Sequence, residues 1–290
     1  MPRHVAGGLD WRPIRGVEKG PLREGRLQAH YAAQWLARFA RGYVPAQADD
    51  GHTSLNWLGS LDGFTTRPSE NGVRLSLQID DLTLALHGRD ETAGVRSLSL
   101  SGRTDAQARQ WLGECLSQRN LDARALDASS PYEIPAHAIA RGARYDAATS
   151  ADALAELAAW FSNAEGLLGQ IQRQLVGRKL EASPVCCWPH HFDLATLTTL
   201  PKAAPHSAGY VGIGLSPGDE YYDEPYFYVS VYPKPDPAAL PTLPMFGHWH
   251  THEFMAAVVP AHKITAAKNQ KTETDEFLRC AVDLALTILS

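Results

Sequence analysis

The sequence predicts an α+β protein of two similar halves, each a helix, an antiparallel sheet and a closing helix. Three observations carry this expectation. Runs of alternating apolar residues recur between 53 and 100 and again between 184 and 259, and period two with one apolar face describes an antiparallel sheet covered on one side. Four longer stretches keep their apolar residues at helical spacing. The order of helix, strands and helix occurs twice, and Trp57 followed by Thr65-Thr66 echoes Trp188 followed by Thr198-Thr199, as an internal duplication would leave it. The expected division is an extended arm over 1–20, an N-terminal half over 21–149 and a C-terminal half over 150–290.

The arm is rich in Gly, Arg and Pro and has no periodicity. From 22 to 42, Leu27, Tyr31, Trp35 and Phe39 recur every four positions, one apolar stripe on a helix with Gly42 as its stop signal. The first sheet follows. Thr53–Leu58 leads into Leu61–Thr66, Arg67-Pro68 breaks the chain, and Asn71-Gly72 turns it. Val73, Leu75, Leu77 and Ile79 alternate, as do Leu82, Leu84 and Leu86 after Asp80-Asp81, and a third run holds Val95, Leu98 and Leu100. Thr104-Asp105 opens a helix to about 118. Residues 120–149 read as a connector. Ser150-Ala151-Asp152 caps a long helix over 152–176 that Gly177 ends.

The β pattern then resumes over 184–200 and 210–215, turns at Ser216-Pro217-Gly218-Asp219 and continues through the aromatic run Tyr226–Pro233. Five prolines between 233 and 244 make a stiff loop. Gly247–Phe254 opens a last strand that runs on through Met255–Val259, and a final helix covers 272–288.

Composition bounds the function. The chain has 290 residues, 44% hydrophobic and 20% charged, with a formal net charge of −5; that balance argues against a large nucleic-acid footprint, which needs a basic face. No apolar run approaches the roughly 18–20 residues of a membrane span. The first residues lack the apolar core of a signal peptide, so the expectation is a cytoplasmic protein. Cys115, Cys186, Cys187 and Cys280 form no C-x-x-C pair, and most of the four read as buried thiols. Gly212-x-Gly214 precedes no helix, so it is no dinucleotide fingerprint; the sequence has no P-loop motif, and serine-hydrolase chemistry is not expected. The run Asp219–Glu224 reads as a solvated loop.

The chain resembles a family of uncharacterised bacterial proteins, catalogued as a domain of unknown function. The resemblance rests on Leu61–Pro68 (LDGFTTRP), Trp188–Ala195 (WPHHFDLA), and Ser216–Asp219 with Glu224–Tyr228 (SPGD…EPYFY). It implies no activity. The alternating histidines around Trp249 are richer than that family's Trp-His…Glu-Phe pattern.

Five of the twelve histidines lie in Trp188–Asp193 and Gly247–Phe254. If His248, His250 and His252 share a strand, neighbours two apart share a face, about 6.5–7 Å apart. Two such imidazoles can converge on one metal, with His190, His191 or Asp193 as a further ligand, and at most one of the adjacent His190 and His191. That set suits a divalent transition metal such as zinc, iron or manganese. Glu253 or Glu224 would be the general base of a metal-dependent hydrolase or oxygenase, and Trp188, His190, Tyr226 and Trp249 would contact the ligand. The competing expectations are a non-catalytic protein binding a small ligand between the halves and an interaction protein, such as a homodimer.

Overall fold

The computed structural model describes residues 11–89, 94–204, 207–243 and 246–290. The first ten residues of the expected arm, and Pro244 and Met245 of the proline-rich loop, lie outside the described residues. The fold is α+β, with five α-helices and two antiparallel sheets among the described residues. Helix α1 (Lys19–Tyr43) precedes strands β1 (Asn56–Leu58), β2 (Gly63–Thr65), β3 (Arg74–Gln78), β4 (Thr83–His87) and β5 (Arg96–Ser99), which pair in chain order. Helix α2 (Asp105–Ser117), two short 3-10 turns and the long α3 (Ala151–Gly177) lead to β6 (Glu181–Ala182), β7 (Cys186–Trp188), β8 (Asp193–Ala204), β9 (Ser207–Ser216), β10 (Tyr226–Tyr232), β11 (His248–His250) and β12 (Ala256–Pro260). Helices α4 (Ala261–Thr265) and α5 (Gln270–Ile288) close the chain.

The second sheet has the order β11-β12-β10-β9-β8-β6, with β7 also beside β8. The two sheets meet where Leu55 and Cys187 exchange backbone hydrogen bonds of 2.9 and 2.8 Å, so β7 continues the first sheet beyond β1. Helices α1, α3 and α5 cover one face. Strand residues that point inward, such as Phe64, Leu75, Leu84, Leu194, Ile213, Phe227 and Val259, join Trp35, Phe161 and Phe277 of the helices in one continuous core. Burying each such side chain contributes about 1.5–3 kcal/mol. No described helix is long and apolar enough to cross a membrane.

Three hairpins share one turn. β1–β2, β3–β4 and β7–β8 each use a four-residue loop whose last residue, Asp62, Leu82 or Phe192, is left-handed (φ 49°, 53° and 59°). Left-handed Leu and Phe cost about 1–2 kcal/mol. Both side chains are fully buried, which offsets that cost.

Several local expectations change. α1 runs one residue past Gly42 to Tyr43, and its C-cap Val44 is extended because Pro45 follows it. Thr104 does cap α2, in a full capping box with Gln107. Ser150 does not cap α3; its hydroxyl accepts from Gln28 of α1 instead. The left-handed residue after α3 is Lys179 rather than Gly177. Cys115, Cys186 and Cys187 are buried thiols, while Cys280 is exposed. Residues 11–18 of the arm lie along α3 and α5: Arg12 N donates to Asn163 and Ile14 N to Gln270, and Ile14 enters the core.

Candidate functional site

The helices leave one face of each sheet without a helical cover, and on the second sheet that outer face carries a polar network. Strand alternation sends Phe227, Val229 and Val231 of β10 into the core and Tyr226 and Tyr228 outward. Tyr228 reaches across β9 to β8, where its hydroxyl donates to Asp193 Oδ2 at 2.6 Å. This requires Gly214 on β9, since a Cβ there would lie 2.5 Å from the Tyr228 oxygen. Asp193 is only 9% exposed, and its Oδ1 has no hydrogen-bond partner among the described residues. Burial raises the Asp193 pKa against the opposing pull of the Tyr228 hydroxyl and the charge of His191.

A second carboxylate organises the neighbouring loop. Asp219 accepts from the Tyr226 hydroxyl at 2.5 Å, from Ser216 Oγ at 3.2 Å, and from the backbone N–H groups of Tyr221 and Tyr222 at 2.9 and 3.1 Å. Burial, then the Asp219 charge, pushes the Tyr226 pKa up. The acidic, aromatic run 219–224 therefore folds over the sheet instead of extending into solvent. Tyr222 and Phe254 pack there on a small apolar cluster of Tyr226, Ala256 and Val258.

The histidine stretch is a hairpin rather than one strand. β11 pairs His248 with Val258 and His250 with Ala256, so both imidazoles stand on the outer face. The chain then reverses through 251–255, with Glu253 left-handed at φ 60°, so His252 falls outside the strand and is exposed. Tyr222 Oη lies 2.8 Å from His248 Nε2 and 3.1 Å from His250 Nδ1. His250 Nε2 lies 2.6 Å from the His252 carbonyl, which can only accept. Nε2 therefore carries the proton, Nδ1 is bare, and the Tyr222 hydroxyl donates to it. The Tyr222 oxygen is left to accept from His248 Nε2–H. Phe254 stacks on His250 at 4.1 Å.

This arrangement separates the expected metal ligands. The strand order puts three strands between β8 and β11, so Asp193 and His191 lie roughly 19 Å from His248 and His250, four strand spacings. Among the described residues, no group of three or more His, Cys, Asp or Glu is placed to hold a metal ion. Glu224 is not a free base. It accepts from Lys19 Nζ (3.1 Å), His262 N (2.8 Å) and His262 Nδ1 (2.9 Å). Burial pushes its pKa up, but these donors outweigh burial and hold it below the usual value. Glu253 is exposed and takes the Tyr221 hydroxyl. Trp249 points inward against the core, its indole N–H donating to Pro241 O at 2.8 Å. His190 and His191 sit in the β7–β8 turn with rings 4.2 Å apart, His190 also beside Trp188 and Tyr132.

One buried polar row escaped the sequence reading. Arg26, His30 and Gln34 recur at i, i+4 and i+8 on α1, each under 9% exposed. His30 and Gln34 both bond Pro189 O, at 2.8 and 2.9 Å, in the W-P-H-H turn. Arg26 reaches Pro217 O in the S-P-G-D turn, where Gly218 (φ +110°) leaves room for the guanidinium. Their spacing was visible, one position off the Leu27/Tyr31/Trp35 stripe. Burial holds the His30 pKa down to about 4, so this imidazole is neutral.

The outer face of the first sheet has a cleft of about 550 Å³. Thr65, Ser69, Glu70, Arg74, His87 and Arg89 line it. His87 Nε2 is 2.8 Å from the buried Ser76 hydroxyl, which fixes the ring from below. Burial, then Arg74, lowers the His87 pKa. Among the described residues, neither Arg74 nor Arg89 takes part in an ion pair.

The fold and these surfaces define an α+β protein with one helix-covered and one polar sheet face. The chain belongs to a family of unknown function (DUF5996), which matches residues 21–288. No curated protein and no solved structure matches it.

Proposed function

We propose that the chain is a small-ligand-binding protein whose site is the cleft on the first sheet, and that the ligand is a small anion bearing a carboxylate or phosphate. The observation that carries this reading is the cleft itself. Its volume falls in the roughly 300–1,000 Å³ range of small-molecule sites, and it presents two guanidiniums without an ion-pair partner among the described residues. Arginine forks match carboxylate and phosphate geometry. The Ser69 hydroxyl, which accepts from Val73 N–H, adds a donor, and Glu70 sets a limit by disfavouring an anion that fills the cleft completely. Two residues of the LDGFTTRP segment, Thr65 and Pro68, form part of the wall. A metal-dependent hydrolase or oxygenase is the less favoured reading, because Glu224 is already engaged by Lys19 and His262 and Glu253 lies exposed.

The test is thermal unfolding of the full chain with inorganic phosphate, with citrate, and with chloride at matched ionic strength. Binding raises the transition temperature, because a ligand at a hundred times its Kd adds about 2.7 kcal/mol. Arg74→Gln with Arg89→Gln should abolish the shift. No shift with either probe beyond that of chloride, or an equal shift in the double variant, would sink the proposal.

A further inference from the structure

We propose that the outer face of the second sheet binds one divalent transition-metal ion through His248 Nε2, His250 Nδ1 and the Tyr222 phenolate oxygen, with copper(II) held most tightly. This goes beyond the cleft and stands independently of it. The first support is convergence. Two imidazole nitrogens from adjacent positions on one strand face meet a single phenol oxygen brought from a loop, with N···O separations of 2.8 and 3.1 Å. A metal about 2.0–2.1 Å from each ligand atom, at angles between square and tetrahedral, puts neighbouring ligand atoms about 2.8–3.4 Å apart. The hydrogen-bonded triangle thus has two edges already at the spacing of a coordination polyhedron.

The second support is tautomer control. The His252 carbonyl takes the Nε2 proton of His250 and leaves Nδ1 bare toward Tyr222. Ligating histidines are commonly fixed in this way, by an acceptor on the other ring nitrogen. Phe254 stacked on His250, and the pairing of β11 with β12, hold the ring in place. His248 is the more exposed of the two, which leaves a side for entry and for a bound water.

The proton count is simple. The metal takes the position of the hydroxyl hydrogen, the phenol becomes a phenolate, and one proton leaves to solvent. His248 moves its own proton from Nε2 to Nδ1, with no net change. Two imidazoles and one phenolate form a nitrogen–oxygen set that favours copper over the other first-row divalent ions. A phenolate ligand supplies the charge that two neutral imidazoles lack. It also explains how a site can exist where His, Cys, Asp and Glu alone form no triplet.

The test titrates the full chain with copper(II) and with zinc(II), and reads the absorption difference between the parent chain and Tyr222→Phe. Histidines elsewhere are present in both chains and cancel. The expected result is a visible phenolate-to-copper charge-transfer band that saturates at one equivalent. Tyr222→Phe should lack the band, and both Tyr222→Phe and His248→Gln should bind at least tenfold more weakly. One proton should be released per ion, read from the dependence of the binding heat on buffer. A parent chain without the band, or with copper affinity equal to that of both variants, overturns the proposal. Should Tyr222→Phe fail to fold, His248→Gln decides the matter, since its ring is largely exposed: an unchanged band in that variant is equally fatal.

Discussion

Glu165 sits on α3 with most of its side chain buried and with Oε2 lacking a hydrogen-bond partner among the described residues. Burial raises its pKa from 4.5 to about 7, and Arg173, two helical turns on, reduces the rise. A carboxyl whose folded pKa lies above its unfolded value favours the protonated folded state. Its penalty is therefore absent below about pH 4.5, grows as pH rises, and is complete above about pH 7. A displacement of that size corresponds to about 3 kcal/mol, and partial solvent access reduces it to about 2. Glu165→Gln keeps the shape and removes the charge. It should stabilise the protein by about 2 kcal/mol at pH 8 and by nearly nothing at pH 4.5. Urea denaturation of both chains at the two pH values measures this directly. A gain of the same size at both pH values, or a loss at pH 8, would show that Glu165 finds a partner or water and that the burial argument is wrong.

Other outcomes follow from the same physics. Gly214→Ala drives a methyl into the Tyr228 ring and should destabilise by about 1–3 kcal/mol, read by urea denaturation; an unchanged midpoint would refute the contact. His30 behaves as the mirror of Glu165. Its folded pKa of about 4 lies below the unfolded 6.5, so stability is full above 6.5 and falls by up to about 3 kcal/mol as pH drops through that window. His30→Gln should flatten this part of the pH–stability curve, read by chemical denaturation, even if it lowers stability overall.

The elements were legible where period and punctuation agree. The four long helices and the meander of the first sheet follow from apolar spacing, and Thr104-Asp105 marked the start of α2. The reading failed where chain reversal lacks its usual marks. His252-Glu253-Phe254 contains no Gly or Pro, so the β11–β12 hairpin looked like one strand, and the left-handed turn at Glu253 carried no signal. The failure over Asp193 is of another kind. Strand order is set by tertiary pairing, and nothing local reveals that β9, β10 and β12 lie between β8 and β11. Tyr222 was missed because it reaches the histidines from a loop 26 residues earlier. Only the shared face of His248 and His250 was readable, since period two decides it.

The family segments now acquire a common physical meaning. LDGFTTRP contributes Thr65 and Pro68 to the cleft. WPHHFDLA supplies the Pro189 carbonyl that His30 and Gln34 hold, and the buried Asp193. SPGD with EPYFY supplies Asp219, Tyr226 and Tyr228. Most of these groups lie in turns or on the outer sheet face, although Phe192, Leu194 and Phe227 within the same segments belong to the core. A fold that needed only a core could place water-loving residues on that outer face. Here it places a carboxyl whose second oxygen has no partner among the described residues, one phenol that reaches across a strand to that carboxyl, and another that holds the carboxylate of the adjoining loop. Buried polar groups of this kind are costly unless fully paired. Their cost to stability marks the outer face of the second sheet as a built polar surface, separate from the cleft of the first sheet, and not as an incidental by-product of the core.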